Sequence, residues 1–153
     1  MKIFSLFFLT FFLTSCGFKV INNFEFQNFY INQINTSGDN KVGFNLKNKL
    51  SLKTKDINKK KIDLDIDIDK NKTVKEKNSN NEITKYLVTI NLKIIVKEEN
   101  KDNITINLSQ KIDYNVSSQY SQSINNEANA VKSLTNTLAE KIIEEISLIK
   151  NDS

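Results

Sequence analysis

The chain contains no histidine, no proline, no tryptophan and, along its whole length, no arginine; all 22 basic residues are lysines. Without histidine, the commonest general acid–base and the commonest metal ligand are missing. The single cysteine cannot close an internal disulfide, so its thiol is free, intermolecular or chemically modified. Three glycines cannot build a glycine-rich phosphate loop, and no Gly-x-Ser-x-Gly motif holds a nucleophile. No proline- or glycine-rich linker divides the 153 residues, a length suited to one domain. These absences point away from an enzyme.

What is present begins at the amino terminus. Met1-Lys2 gives a positive start and Ile3 to Leu13 an apolar run. Eleven residues span only ~16 Å as a helix, roughly half a bilayer core, which suits the h-region of a secretory signal better than a transmembrane span. Leu13-Thr14-Ser15-Cys16 then places a small residue before the lone cysteine and an apolar one three positions ahead. This resembles the bacterial lipobox, in which the thiol is diacylglycerated, the chain is cut before the cysteine and the new amine is acylated. That reading accounts for the single thiol, and several buried acyl chains make such anchoring stable. An ordinary signal with a cysteine nearby by chance explains less. The reading makes Met1–Ser15 a lipoprotein signal peptide and residues 16–153 one lipid-anchored domain. Gly17 stands where such lipoproteins often carry the aspartate of inner-membrane retention, and so points to the outer membrane.

The hydropathy pattern after Cys16 reads as strand, helix, three strands, helix. A strand region runs from about Phe18 to Ile34, with a bulge or break where the aromatic spacing slips between Phe26 and Phe29. Asn35 to Asp39 reads as a turn that caps a helix over Asp39 to Lys53, whose Val42, Leu46 and Leu50 recur every four residues. Gly43 weakens that helix. Alternation then marks three strands. Ile62, Leu64, Ile66 and Ile68 share one face of the first; Tyr86 to Val96 supplies the second; Ile104 to Val116, broken only by Gln110, supplies the third. Lys70 to Glu82 reads as a polar, mobile loop and Glu98 to Asp102 as a hairpin loop. Gln122 to Lys150 carries Ile124, Ala128, Val131, Leu134, Leu138, Ile142, Ile146 and Ile149 on one helical stripe. The expected fold is α+β: a two-layer sandwich of a mostly antiparallel four-stranded sheet covered on one face by two helices, ordered β-α-β-β-β-α.

Few side chains offer chemistry. Asp63, Asp65, Asp67 and Asp69 share one strand face, but alternate carboxylates there stand roughly 7 Å apart, too far for one cation. A calcium loop counted from Asp63 would need glycine and glutamate where Ile68 and Val74 stand. A solvated face, relieved by Lys93, Lys97 or Lys111 on adjacent strands, is expected instead, with no metal site. Lysines gather at Lys70, Lys72, Lys75 and Lys77 and on the first helix at Lys41, Lys47, Lys49 and Lys53. Either group could meet phosphates. Export and interspersed charge signs oppose nucleic-acid binding.

A lipobox running into Cys16-Gly17-Phe18-Lys19, a strand with Tyr30-Ile31, a short helix with Leu46 and Leu50, and Tyr114-Asn115…Tyr120 before a long helix ending Leu138-Ala139-Glu140-Lys141-Ile142 together resemble the lipopolysaccharide-assembly lipoproteins of the LptE family, in their alphaproteobacterial branch. The chain departs from that family in having Lys41 and Lys47 where arginine is frequent, and in lacking a proline shortly after Phe18. The resemblance implies a non-catalytic lipoprotein without a cofactor, anchored by its lipid to the periplasmic side of the outer membrane. It would plug and help assemble the LptD β-barrel, through which lipopolysaccharide reaches the outer leaflet. It makes Lys70, Lys72, Lys75, Lys77, Lys41 and Lys47 candidates for the phosphates of lipid A. The competing reading is a periplasm-facing lipoprotein that carries or chaperones an apolar ligand or another envelope protein, which requires an internal cavity.

Overall fold

The computed structural model describes residues 29–53 and 59–151. The signal peptide, Cys16 and the strand region before Phe29 expected above lie outside those residues. Six elements follow in order: β1 (Phe29–Gly38), α1 (Asn40–Lys53), β2 (Lys60–Lys77), β3 (Ile83–Lys97), β4 (Ile104–Asn115) and α2 (Tyr120–Asn151). The strands lie side by side as β1-β2-β3-β4, with β1 parallel to β2 and the other two pairs antiparallel. The α+β sandwich and its β-α-β-β-β-α order are those expected from the sequence.

Alternation explains why this sheet buries only one face. Ile62, Leu64, Ile66 and Ile68 of β2 share the inner face with Val88, Ile90, Leu92, Ile94 and Val96 of β3 and with Ile106 and Tyr114 of β4. Val42, Leu46 and Leu50 of α1 press onto that face, as do Val131, Leu134, Leu138, Ile142 and Ile146 of α2. One continuous core results, and Leu46, Leu50, Ile90, Ile94, Leu138, Ile142 and Ile146 are fully buried in it. In β1, Ile31 and Ile34 both face inward although three positions apart, because the register shifts between Ile31 and Gln33 and turns Asn32 outward.

Four details differ from the sequence reading. First, β1 continues through Asn35, Thr36 and Ser37 to Gly38 instead of turning at Asn35. The polar side chains that look like turn formers are used across the sheet, where Asn35 and Ser37 donate to Asp65 and Asp67. The turn itself needs only Gly38, whose φ is +87° and whose Cα passes so close to β2 that a Cβ would lie 1.9 Å from the Ile68 carbonyl oxygen. Asp39 then donates its N–H to that carbonyl, and its Oδ1 caps α1 by accepting from the Val42 N–H at 2.9 Å.

Second, Lys70 to Lys77 is strand, not loop: β2 keeps pairing with β3 up to Lys77 opposite Ile83. The reversal is confined to Asn78–Glu82, where Asn81 takes a positive φ of 64° and Asn78 Oδ1 accepts from the N–H groups of Asn80 and Glu82. Third, Gly43 weakens α1 less than its propensity implies, because it faces β1. A Cβ there would meet Thr36 Oγ1 at 2.9 Å, so glycine lets the helix close on the strand. Fourth, Ile124 lies on the stripe of α2 yet is 50 % exposed, since α1 does not cover the end of the sheet where α2 begins.

Candidate functional site

The outer face of the sheet is polar and satisfies itself. Asn32, Asn35 and Ser37 of β1 each donate to an aspartate of β2, at Asp63, Asp65 and Asp67, all at 2.8 Å. Asn91 of β3 donates to Asp69 at 3.1 Å and accepts from Ser109 of β4 at 2.7 Å. Lys97 reaches Asp65 at 2.5 Å; that ammonium, with the Asn35 amide, holds the Asp65 carboxyl below the usual range. Of the three lysines expected to relieve the row, Lys97 does so, Lys93 stands opposite Asp67, and Lys111 sits on β4, two strands away. The neutral partners from β1 were not foreseen, because nothing in the sequence places β1 beside β2. A shallow depression of about 500 Å³ opens on this face between Asn35, Ser37, Asp65, Asp67 and Lys93.

The hairpin lysines do not form one cluster. Lys70 and Lys72 follow the inward row of β2 and turn to the helix side, where Lys70 pairs with Asp39 at 2.5 Å. Burial pushes the Asp39 carboxyl up, but the Lys70 ammonium and the Val42 N–H outweigh it and hold it low. Lys72 Nζ lies 2.6 Å from Glu127 Oε2, 4.4 Å from the Tyr86 ring centroid and 5.7 Å from that of Tyr114. The Tyr114 hydroxyl donates to the same Glu127 oxygen at 2.7 Å, and the two tyrosine rings stack at 5.8 Å. Lys72 hydrogen bonding draws the Glu127 carboxyl below its ordinary value, and the carboxylate in turn raises the ammonium. Lys75 instead pairs with Asp113 at 2.8 Å, and Lys77 donates to Asn81 at 2.9 Å.

Lys41 and Lys47 are exposed on α1 and have no ion pair among the described residues. The six lysines singled out in the sequence therefore divide into four already engaged within the fold and two that stand clear. No sequence signal separates the groups, because the partners Asp39, Asp113 and Glu127 arrive from distant elements.

Among the described residues, the inward side chains of sheet and helices pack into one buried core between the layers. A second concavity, about 360 Å³, is an open notch between the end of β4 and α2, lined by Asp113, Asn115, Asn126, Asn129 and Ser133 among others. No helix among the described residues is long and apolar enough to cross a membrane.

This architecture recurs in solved lipoproteins. Rare lipoprotein B from Shewanella oneidensis superposes with a TM-score of 0.61 at 13 % identity, over 79 % of this chain and 98 % of that one. A minor lipoprotein from Acinetobacter baumannii gives 0.57 at 13 % identity, over 80 % and 92 %. Lipoprotein B from Nitrosomonas europaea gives 0.58 at 10 % identity, over 82 % and 86 %. At such identities the likeness is one of fold. No functionally curated protein matches the sequence. The family model for lipopolysaccharide assembly, LptE, matches residues 24–146. That match takes in β1 to β4, α1 and most of α2, and the chain belongs to the LptE family of lipopolysaccharide-assembly lipoproteins.

Proposed function

We propose that the protein is a non-catalytic lipoprotein of the outer membrane, cut after Ser15 and acylated at Cys16, that plugs the LptD β-barrel and helps it assemble. Lipopolysaccharide then passes through that barrel to the outer leaflet. Family membership carries this reading. Two features of the fold support it. The outer sheet face spends its carboxylates on its own asparagines, serine and lysine, and so suits a polar barrel lumen without demanding a strong counter-charge. Among the described residues, the charged clusters are ion pairs that join one element to another, which favours a structural role over turnover.

Among the candidates for lipid A phosphates, Lys41 and Lys47 can meet a phosphate without first leaving a partner. Lys70, Lys72 and Lys75 must break ion pairs with Asp39, Glu127 and Asp113 to do so. The carrier reading is the weaker one, since the described residues of the sheet and helices fill the space between the two layers with one packed core. The test is purification of the tagged, native protein from membranes. A large β-barrel should accompany it, and depletion of the lipoprotein should leave that barrel poorly assembled. Recovery without any barrel would refute the proposal, as would mass spectrometry showing an unmodified Cys16 thiol.

A further inference from the structure

We propose that the outward face of α1 is a docking surface for an anionic phospholipid bilayer, so that the protein lies on its membrane through this helix as well as through any acyl anchor. The inference goes beyond the barrel reading and can stand or fall without it.

Charge makes the first argument. The chain has 22 lysines and 18 carboxylates, and α1 contains four of those lysines and no carboxylate. Outside α1, eighteen lysines therefore face eighteen carboxylates. The whole formal excess of +4 resides in fourteen residues. Six lysines elsewhere, Lys70, Lys72, Lys75, Lys85, Lys97 and Lys150, are taken up by acids. Lys41 and Lys47 have no such partner among the described residues.

Apolar exposure makes the second. Phe44 and Leu52 of α1 are 67 % and 68 % exposed, although Val42, Leu46 and Leu50 of the same helix are fully buried. At about 100° per residue, Phe44 and Leu52 lie roughly 80° apart around the helix and ~12 Å apart along it. Lys41 falls between them in angle, and Lys47 lies about 60° to the other side of Phe44. Phe44 thus has a lysine one turn before it and one turn after it, on the side opposite the core. An aromatic and an aliphatic side chain set among unpaired lysines form the pattern of a helix lying in the membrane interface, where apolar groups enter the headgroup boundary and ammonium groups meet lipid phosphates. The acid-free helix repels a basic partner and offers no carboxylate to pair with one, so the complement is anionic. Chain length permits the contact: the thirteen steps from Cys16 to Phe29 reach at most ~45 Å, enough to lay α1 on the leaflet that would hold the acyl chains.

The chain has no tryptophan, which makes the test direct. Full-length protein carrying Phe44→Trp is purified from membranes and reconstituted into phosphatidylethanolamine vesicles with or without phosphatidylglycerol, their acyl chains brominated. Indole emission should shift to the blue and be quenched on the phosphatidylglycerol vesicles only, and salt should reverse both effects. Adding Lys41→Gln or Lys47→Gln should weaken docking roughly fivefold each. Ile95→Trp, on the outer sheet face, should remain unquenched, and circular dichroism melts identify any variant that has lost its fold. Equal quenching on neutral vesicles, no quenching on either, or equal quenching of the Ile95→Trp protein would overturn the proposal. Quenching that appears only when lipopolysaccharide is added would assign the face to that glycolipid instead. Barrel co-purification is read separately, so failure of one idea leaves the other measurable.

Discussion

Replacing Lys72 by methionine separates a lysine that holds the fold together from one that waits for a ligand. Methionine keeps much of the aliphatic stem, so the change removes mainly charge. Two contributions disappear. The ion pair with Glu127 is close, but its side chains are 40 % and 34 % exposed, so solvent screening limits it to about 0.5–1 kcal/mol. The ammonium over the Tyr86 ring adds about 0.5–1 kcal/mol. Lys72→Met should therefore lower unfolding free energy by about 1–2 kcal/mol in urea titrations at neutral pH. Lys41→Met, with no partner to lose, should stay within about 0.5 kcal/mol of the native chain.

The pH profile sharpens this test. Glu127 has its carboxyl drawn below its ordinary value of 4.5 in the folded state, so its share of stability is present above that value and lost as pH falls through the lower, folded one. Lys72 is raised above its ordinary 10.5, so its share is present below that value and lost as pH rises through the higher, folded one. The gap between native and variant protein should be widest between those ordinary values and close on either side. A double-mutant cycle with Glu127→Gln should recover a coupling of about 0.5–1 kcal/mol. Unchanged stability at neutral pH, or a loss that ignores pH, would refute the assignment. A fall in lipopolysaccharide affinity in this variant counts as a binding effect only once that stability loss has been subtracted.

Four further outcomes follow from the same structure. Gly38→Ala must adopt a left-handed backbone, at about 1–2 kcal/mol, and push its Cβ away from the Ile68 carbonyl; parting β1 from β2 should bring the total to about 3 kcal/mol or more in urea melts. Gly43→Ala gains about 1 kcal/mol of helix propensity, but its Cβ would lie 3.1 Å from Thr36 Cβ, which no side-chain rotation moves, so α1 must shift from β1 and a net loss of about 1 kcal/mol should appear in the same assay. Leu138→Ala empties a fully buried site between α2 and the sheet and should cost about 2–5 kcal/mol by thermal or urea unfolding. Lys150 pairs with Glu98 at the foot of α2, the two side chains being only 6 % and 13 % exposed, and this ammonium holds Glu98 low. Lys150→Met strands that carboxylate, although Lys101 at 3.6 Å partly compensates; about 2–3 kcal/mol should be lost at neutral pH, and the deficit should shrink as acid neutralises Glu98.

Much of this protein was written in local pattern. The period-two rows of β2, β3 and β4 and the stripe of α2 are legible because each element buries one face, and burial imposes its spacing whatever lies opposite. The expected loop from Lys70 to Glu82 failed for a related reason. Once β2 extends beyond α1, its side chains are exposed on both faces, so alternation fades although the backbone ladder with β3 continues. Asn35 and Ser37 misled in the same manner, since short polar side chains serve a turn and a cross-strand hydrogen bond equally well. Lys150, the last basic residue of the long helix, shows no local sign that it is buried.

The sequence alone settled the lack of histidine, the element order, the two-layer class and the lysine-rich character of the first helix, because composition and periodicity express one-body preferences for water or its absence. Only the tertiary structure decided which charges are free. Whether Lys72 is a ligand site or a clasp depends on Glu127, 55 residues away, and whether Phe44 is core or surface depends on where α1 comes to rest. Such partnerships are properties of pairs brought together by topology, and no local window of the chain contains both members.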